Sequence, residues 1–237
     1  MEILDLEETL LKGEVTLEGQ FTLGSNYTFL VSTKYKQTQL KAVYKPQQGE
    51  QPLWDFPENT LANREVAAFQ LSQLLGWNLV PHTIFRANGP YGPGSYQLYI
   101  EYNPNYHFFV LKPKDLKKLT IVALFDLITN NADRKGSHIL FSKEGHRLYT
   151  IDHGLCFNEE DKLRTVIWNF AGQPIPIEPL QDLTRILANP AELNTALAPY
   201  LAPEEIAALR TRAEAILLNP VFPYPPEEKR AYPYPPL

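Results

Sequence analysis

The chain has 237 residues, 44% hydrophobic and 21% charged, enough to bury a core in one large domain or two small lobes. Its formal net charge of −5 argues against broad nucleic-acid binding and against electrostatic docking on anionic lipid, while leaving room for a local basic patch. The only cysteine, Cys156, excludes an intrachain disulfide and any multi-cysteine zinc site.

From the N-terminus, Met1-Glu2-Ile3-Leu4-Asp5 is acidic and has no signal-peptide pattern, and no apolar run in the chain reaches bilayer length. A cytoplasmic protein without a transmembrane segment is expected. Residues 4–11 read as a short amphipathic helix, and 14–45 as strands, with Gly24-Ser25-Asn26 as a turn. Residues 46–57 form a loop. A helix follows over 60–75, ended by Gly76 and apolar most of the way round, hence buried. Arg64 on this helix is expected in solvent or paired with Glu58. A turn-rich loop, 88–94, leads into a strand at 96–100.

Residues 115–129 predict a second helix, apolar nearly all round, that forms the spine of a helical half. The polar loop 130–137 ends it. Strands at 139–141 and 148–151 flank the turn Lys143-Glu144-Gly145-His146, and helices follow near 180–188, 191–197 and 203–218. A β-rich half followed by a helical half predicts an α+β fold of two lobes with a cleft between, divided near Asn103-Pro104-Asn105: 1–103, 104–222, and a Pro/Tyr-rich tail, 223–237. The tail repeats Pro-Tyr-Pro-Pro at 223–226 and 233–236. It is a candidate site for a partner's aromatic groove, or it packs back on the helical lobe.

The chemistry gathers around two aspartates. Asp133 lies in the loop before the 139–151 hairpin and Asp152 just after it, so the hairpin folds both carboxylates towards one site. Taken singly, each also fits a turn or a helix cap. Taken together they match what kinase-like phosphotransfer needs: one carboxylate to accept the attacking hydroxyl's proton, another to hold the metal that bridges nucleotide phosphates. His138 is the candidate second metal ligand. Imidazole is softer than Mg²⁺ prefers, which points to tolerance of Mn²⁺; the plainer role is a hydrogen-bonded histidine opening a strand. Lys45 ends a β run where a lysine reaches phosphates, and Glu65 is the carboxylate to brace it. Ser25 is a candidate phosphate contact. No Walker A sequence and no G-x-S-x-G elbow is present.

These segments resemble a known family. Val43-Tyr44-Lys45-Pro46, Arg64-Glu65-Val66-Ala67-Ala68, Leu79-Val80-Pro81-His82-Thr83, Asn131-Ala132-Asp133-Arg134 and Ile151-Asp152-His153-Gly154-Leu155 are similar, in order and spacing, to segments of type II phosphatidylinositol 4-kinases. With Pro52-Leu53-Trp54-Asp55-Phe56-Pro57 and 162–168, the pattern resembles a bacterial family of phosphatidylinositol 3-/4-kinase-like proteins, with HipA-type kinases more distant. The resemblance implies a two-lobed protein-kinase-like fold, with Asp133 catalytic, Asp152 on metal, Lys45 on phosphate and Glu65 its partner. It implies that backbone from Tyr99 through Ile100 to Glu101 meets adenine. His138 stands where that family has asparagine, and the family's cysteine-rich palmitoylation insert is missing. Arg164 and Trp168 follow the metal aspartate, where kinases place acceptor-binding segments.

The expected protein is thus an ATP-dependent kinase using Mg²⁺ or Mn²⁺. Its acceptor is a hydroxyl on an inositol-type polyol, a lipid head group or a protein side chain. The alternative is a nucleotide-binding pseudokinase acting as sensor or scaffold.

Overall fold

The computed structural model describes residues 3–22 and 26–237. Ser25 and Gly24, the expected phosphate turn, lie outside the described residues. The first half forms one antiparallel sheet of β1 (Glu14–Phe21), β2 (Thr28–Tyr35), β3 (Thr38–Pro46), β4 (Thr83–Arg86) and β5 (Gly94–Leu98), in the order β1-β2-β3-β5-β4. Helix α1 (Ile3–Lys12) packs its Leu10 against one face, with Phe29, Val31, Ala42, Tyr44 and Tyr96.

Side chains alternate across a strand, so β3 sorts its residues by face. Ala42 and Tyr44 are fully buried in that small core, whereas Val43 and Lys45 turn to the opposite face and line a cavity. On the neighbouring β5, Tyr96 goes to the core and Gln97 to the cavity. The pleat that buries the apolar positions is what presents Lys45 to the cleft.

Helix α2 (Leu61–Leu74) follows the loop after β3. Its first two N–H groups, on Leu61 and Ala62, donate to the Glu50 carboxylate at 3.1 and 2.8 Å, which satisfies orphan donors and sets an anion at the positive helix end. Gly76, at φ 75°, ends the helix in the left-handed region.

The second half is mostly helical: α3 (Pro113–Leu116), α4 (Thr120–Thr129), the hairpin β6 (Ile139–Phe141) and β7 (Leu148–Thr150), then α5 (Ile177–Ala188), α6 (Pro190–Leu197) and α7 (Pro203–Leu218). The helix expected over 115–129 is divided by a 3₁₀ turn at Lys117–Leu119, so the spine is α4 alone. Val122, Leu124, Phe125 and Ile128 of α4 are fully buried and join α2, α5, α6 and α7 in the main core. Asn130, at φ 53° and ψ 51°, ends α4 and turns the chain into the loop that carries Asp133.

The expectation for Arg64 changes, whereas the tail takes the second of its two readings. Arg64 is 1% exposed rather than solvated, and its partner is Glu205 on α7, not Glu58. A buried guanidinium is tolerated only when paired and hydrogen-bonded; a second bond runs to the Cys156 carbonyl at 2.6 Å. The tail packs on the helical half: Ala231 and Pro233 are buried, and the Ala231 carbonyl accepts from Thr165 N and Trp168 Nε1. Cys156 is fully buried in the core, as its apolar neighbours imply.

Candidate active site

The site is built where the sheet, α2 and the β6–β7 hairpin meet. Lys45 Nζ pairs with Glu65 Oε1 and lies 2.9 Å from Asp152 Oδ1. Burial alone would lower the pKa of this ammonium; Asp152 and Glu65 outweigh it and hold the pKa above the ordinary lysine value. Asp152 responds in kind. Burial would raise its pKa, but Lys45 and then His138 hold it below the usual carboxylate range. Its backbone sits at φ 61°, a conformation an aspartate tolerates better than most side chains and one found at functional turns.

Glu65, 2% exposed, also accepts the His153 N–H at 3.0 Å. One carboxylate thereby ties the end of β3 to the turn after β7. Glu65 is braced on α2, and α2 is anchored to α7 through Arg64.

The loop that carries Asp133 is held by a second buried network. Arg134, fully buried, donates to Asp126 of α4 at 3.0 Å, to the Ile151 carbonyl at 2.8 Å and to His153 Nε2 at 2.8 Å. Because Nε2 accepts, His153 carries its proton on Nδ1. Burial, reinforced by Arg134, drives the His153 pKa well down, so the ring is neutral. These bonds clamp the residue after Asp133 to the residues flanking Asp152. Asp126, Arg134 and His153 were not singled out from sequence. The available signal was a lone carboxylate in an otherwise apolar helix, which calls for a buried cation.

Asp133 lies beside Lys135, whose ammonium is 3.3 Å from Oδ2. Burial pushes the Asp133 pKa up to about 6; Lys135 opposes this and the Asp152 charge adds to it. Asp133, Lys135, Asp152, Lys45, Glu65 and Glu50 line one small cavity of about 120 Å³. Lys45 and Asp152 also line a neighbouring cavity of about 420 Å³ with apolar walls from Val43, Leu98, Ile100, Leu140 and Ile151. Tyr99 and Ile100 line it; Glu101 does not, and its carboxylate faces Lys143. Tyr99 N is committed to the Lys41 carbonyl and the Glu101 carbonyl to Lys143 N. Among the described residues, the Tyr99 carbonyl and the Glu101 N–H have no backbone partner.

His138 is 8% exposed, with Nε2 3.2 Å from Asp152 Oδ2 and Nδ1 3.4 Å from Lys135 N. Burial lowers its pKa to about 4, against the pull of Asp152. At neutral pH the ring is therefore neutral, the form that ligates metal. Adjacent ligands of an octahedral cation at ~2.1 Å stand roughly 3 Å apart, so the Asp152–His138 pair fits a shared divalent ion. Arg164 and Trp168 do not line these cavities. They line a third one, of about 860 Å³, on the helical half.

This arrangement defines a kinase-like fold with a cationic and acidic cleft between its lobes. Protein Rv2133c of Mycobacterium tuberculosis is 41% identical over 259 aligned residues, covering 93% of this chain and 92% of that protein. The chain belongs to the same family as Protein Rv2133c. No family model matches. Among solved structures, the Golgi casein kinase with Mn/ADP bound has a TM-score of 0.61 at 16% identity, over 90% of this chain and 74% of that one. Hydra Fam20 with sugar gives 0.61 at 14%, over 91% and 88%. The Helicobacter pylori proinflammatory kinase CtkA gives 0.55 at 14%, over 90% and 94%. The likeness to these kinases establishes the fold.

Proposed function

We propose that this protein is an ATP-dependent phosphotransferase that moves the γ-phosphate to an acceptor hydroxyl. The observation that carries the reading is Lys45, held between Glu65 and Asp152 at the junction of an apolar-walled cavity and a smaller carboxylate-lined one. In this reading 1–103 is the nucleotide lobe, 104–222 carries the catalytic and metal loops, and 223–237 is a tail.

Adenine occupies the cavity of about 420 Å³ beside Tyr99 and Ile100, with the unpaired Tyr99 carbonyl and, just outside the lining, the unpaired Glu101 N–H as backbone partners for its edge. Lys45 anchors the phosphates, and Glu65 fixes the lysine so that little is left to organise when nucleotide arrives. Asp133, ionised above about pH 6, orients the acceptor hydroxyl and takes its proton. As the hydroxyl oxygen bonds to the γ-phosphorus, the bond to the ADP oxygen breaks and ADP leaves with its electron pair. A divalent cation, Mg²⁺ or Mn²⁺, held by Asp152 and His138, neutralises charge on the phosphate oxygens when bound. Before metal binds, Nδ1 accepts from Lys135 N and the proton sits on Nε2, towards Asp152; ligation through Nε2 would move the proton to Nδ1 and break the 3.4 Å bond to Lys135 N.

Mn/ADP in the structure of the Golgi casein kinase supports a nucleotide with a divalent ion. The sequence resemblance to phosphatidylinositol kinases supports an inositol-type polyol or lipid head group as acceptor, beside protein side chains. The competing reading is a nucleotide-binding pseudokinase that serves as sensor or scaffold. It draws on Asp152, whose two oxygens already face Lys45 and His138. The test is transfer of radiolabelled γ-phosphate to polyols, inositol lipids and protein, in parallel with nucleotide binding. Transfer supports the phosphotransferase; binding with transfer to none of the three supports the sensor.

A further inference from the structure

The cavity of about 860 Å³ shares no lining residue with the two cavities of the cleft. It lies among α7, the segment 159–168 and the tail. Five cationic residues line it against two acidic ones, in a chain whose net charge is −5. Two of the cations are matched: Lys162 with Glu160 and Asp55, and Lys229 with Asp161. The other three, Arg164, Arg212 and Arg230, have no carboxylate partner among the described residues.

Their surroundings differ. Arg212 donates through Nε to the Ile128 carbonyl at 3.0 Å and through Nη1 to the Asn158 carbonyl at 3.1 Å, which fixes the guanidinium; its Nη2 is buried and has no partner among the described residues. Burial lowers its pKa to about 10, the mark of a cation short of counter-charge. The Arg164 side chain, half-buried, makes no hydrogen bond or ion pair among the described residues. Arg230 gives Nε to the Tyr232 carbonyl at 2.9 Å and lies over the Tyr234 ring. Between these cations the walls are mainly apolar, with Leu127, Ile216 and Trp168 among them.

Unpaired guanidinium groups around a partly apolar cavity are complementary to an anion with a non-polar body. We propose that this cavity binds a small organic anion: a phosphate, sulfate or carboxylate head carried on an apolar body. The site adjoins the catalytic loop, because Arg164 N donates to the Asn131 carbonyl and Arg134 N to the Arg164 carbonyl. It stands independently of the nucleotide reading.

The test is calorimetric titration of the full chain with hexyl phosphate, inorganic phosphate, 1-hexanol and hexyl sulfate. Hexyl phosphate and hexyl sulfate are expected to bind at one site about tenfold or more tighter than either inorganic phosphate or hexanol. Arg164→Gln and Arg230→Gln should each weaken hexyl phosphate binding by about tenfold, with unchanged thermal melting. Lys45→Met, in the cleft and titrated well below its own melting temperature, should leave it intact. Equal affinity for hexanol, insensitivity to both arginine substitutions, loss of binding in folded Lys45→Met, or no saturable binding up to about 10 mM would each overturn the proposal.

Discussion

Lys45 and Asp152 are 107 residues apart in sequence and 2.9 Å apart in space. The contact joins the last cavity-facing position of β3 to the turn after β7, and Glu65 on α2 closes the triangle. Three elements from two lobes therefore meet at one ammonium, which under the proposed function supplies the fixed positive charge for a nucleotide's phosphates.

Lys45→Met should weaken nucleotide binding and also destabilise the fold. It leaves Glu65, 2% exposed, without its counter-charge, and breaking a buried pair costs about 3–5 kcal/mol at most. Lys45→Met/Glu65→Gln should recover part of that loss, a coupling of about 1 kcal/mol or more in a denaturation cycle. Additive losses with unchanged nucleotide affinity would argue that the pair is incidental.

Glu205→Ala should be among the most damaging substitutions far from the cleft. It strands Arg64, which is 1% exposed, and loosens α2 from α7; a loss of about 3 kcal/mol is expected by urea denaturation. Glu205→Gln keeps a hydrogen-bond acceptor and should cost less. A wild-type midpoint for Glu205→Ala would mean that water replaces the carboxylate.

The pH profile should expose Asp133. A proton acceptor works only when ionised, and burial raises this carboxyl to about 6, so kcat/KM should climb with pH through about 6 and level off above it. Lys135→Ala removes the nearest cation, 3.3 Å away, and should move that limb to higher pH. A profile flat down to about pH 4, the ordinary carboxylate value, would show that no raised carboxyl controls the step.

His138 tests the metal assignment. Its Nε2 stands 3.2 Å from Asp152 Oδ2, so His138→Ala should weaken metal-dependent nucleotide binding by about tenfold, and His138→Asn should reduce any preference for Mn²⁺ over Mg²⁺. Unchanged metal dependence in both variants would leave His138 as a hydrogen-bond donor to Asp152 alone.

Removal of 223–237 should lower stability. Ala231 and Pro233 are buried, the Ala231 carbonyl takes two hydrogen bonds, and Gly136 N donates to the Pro236 carbonyl at 2.8 Å. A loss of about 1–3 kcal/mol in a thermal melt is expected. Unchanged melting with loss of a binding partner would favour a recognition role for the Pro-Tyr-Pro-Pro repeats.

What the sequence made legible was mostly local. The apolar faces of α2 and α4 and the hairpin around Gly145 follow from periodicity and turn chemistry, so the positions of Glu65, Asp133 and Asp152 followed too. Strand β4 escaped because four residues between Pro81 and the 88–94 loop carry too short a pattern. The burial of Arg64 escaped because its partner is 141 residues away, and no local window contains both. The position of Arg164 and Trp168, in a cavity apart from the cleft, depends on how α7 and the tail close over 159–168. That is a tertiary fact with no local signature.

The most direct measurement is γ-phosphate transfer by Asp133→Asn and Asp152→Asn beside wild type, with nucleotide affinity determined on the same preparations. Asp133→Asn should lose about 10²–10⁴-fold in transfer while keeping its nucleotide affinity, whereas Asp152→Asn should lose metal-dependent nucleotide binding as well. If none of the three proteins binds a nucleotide, or if Asp133→Asn transfers phosphate as fast as wild type, the cleft is not a phosphotransfer site built on these two aspartates.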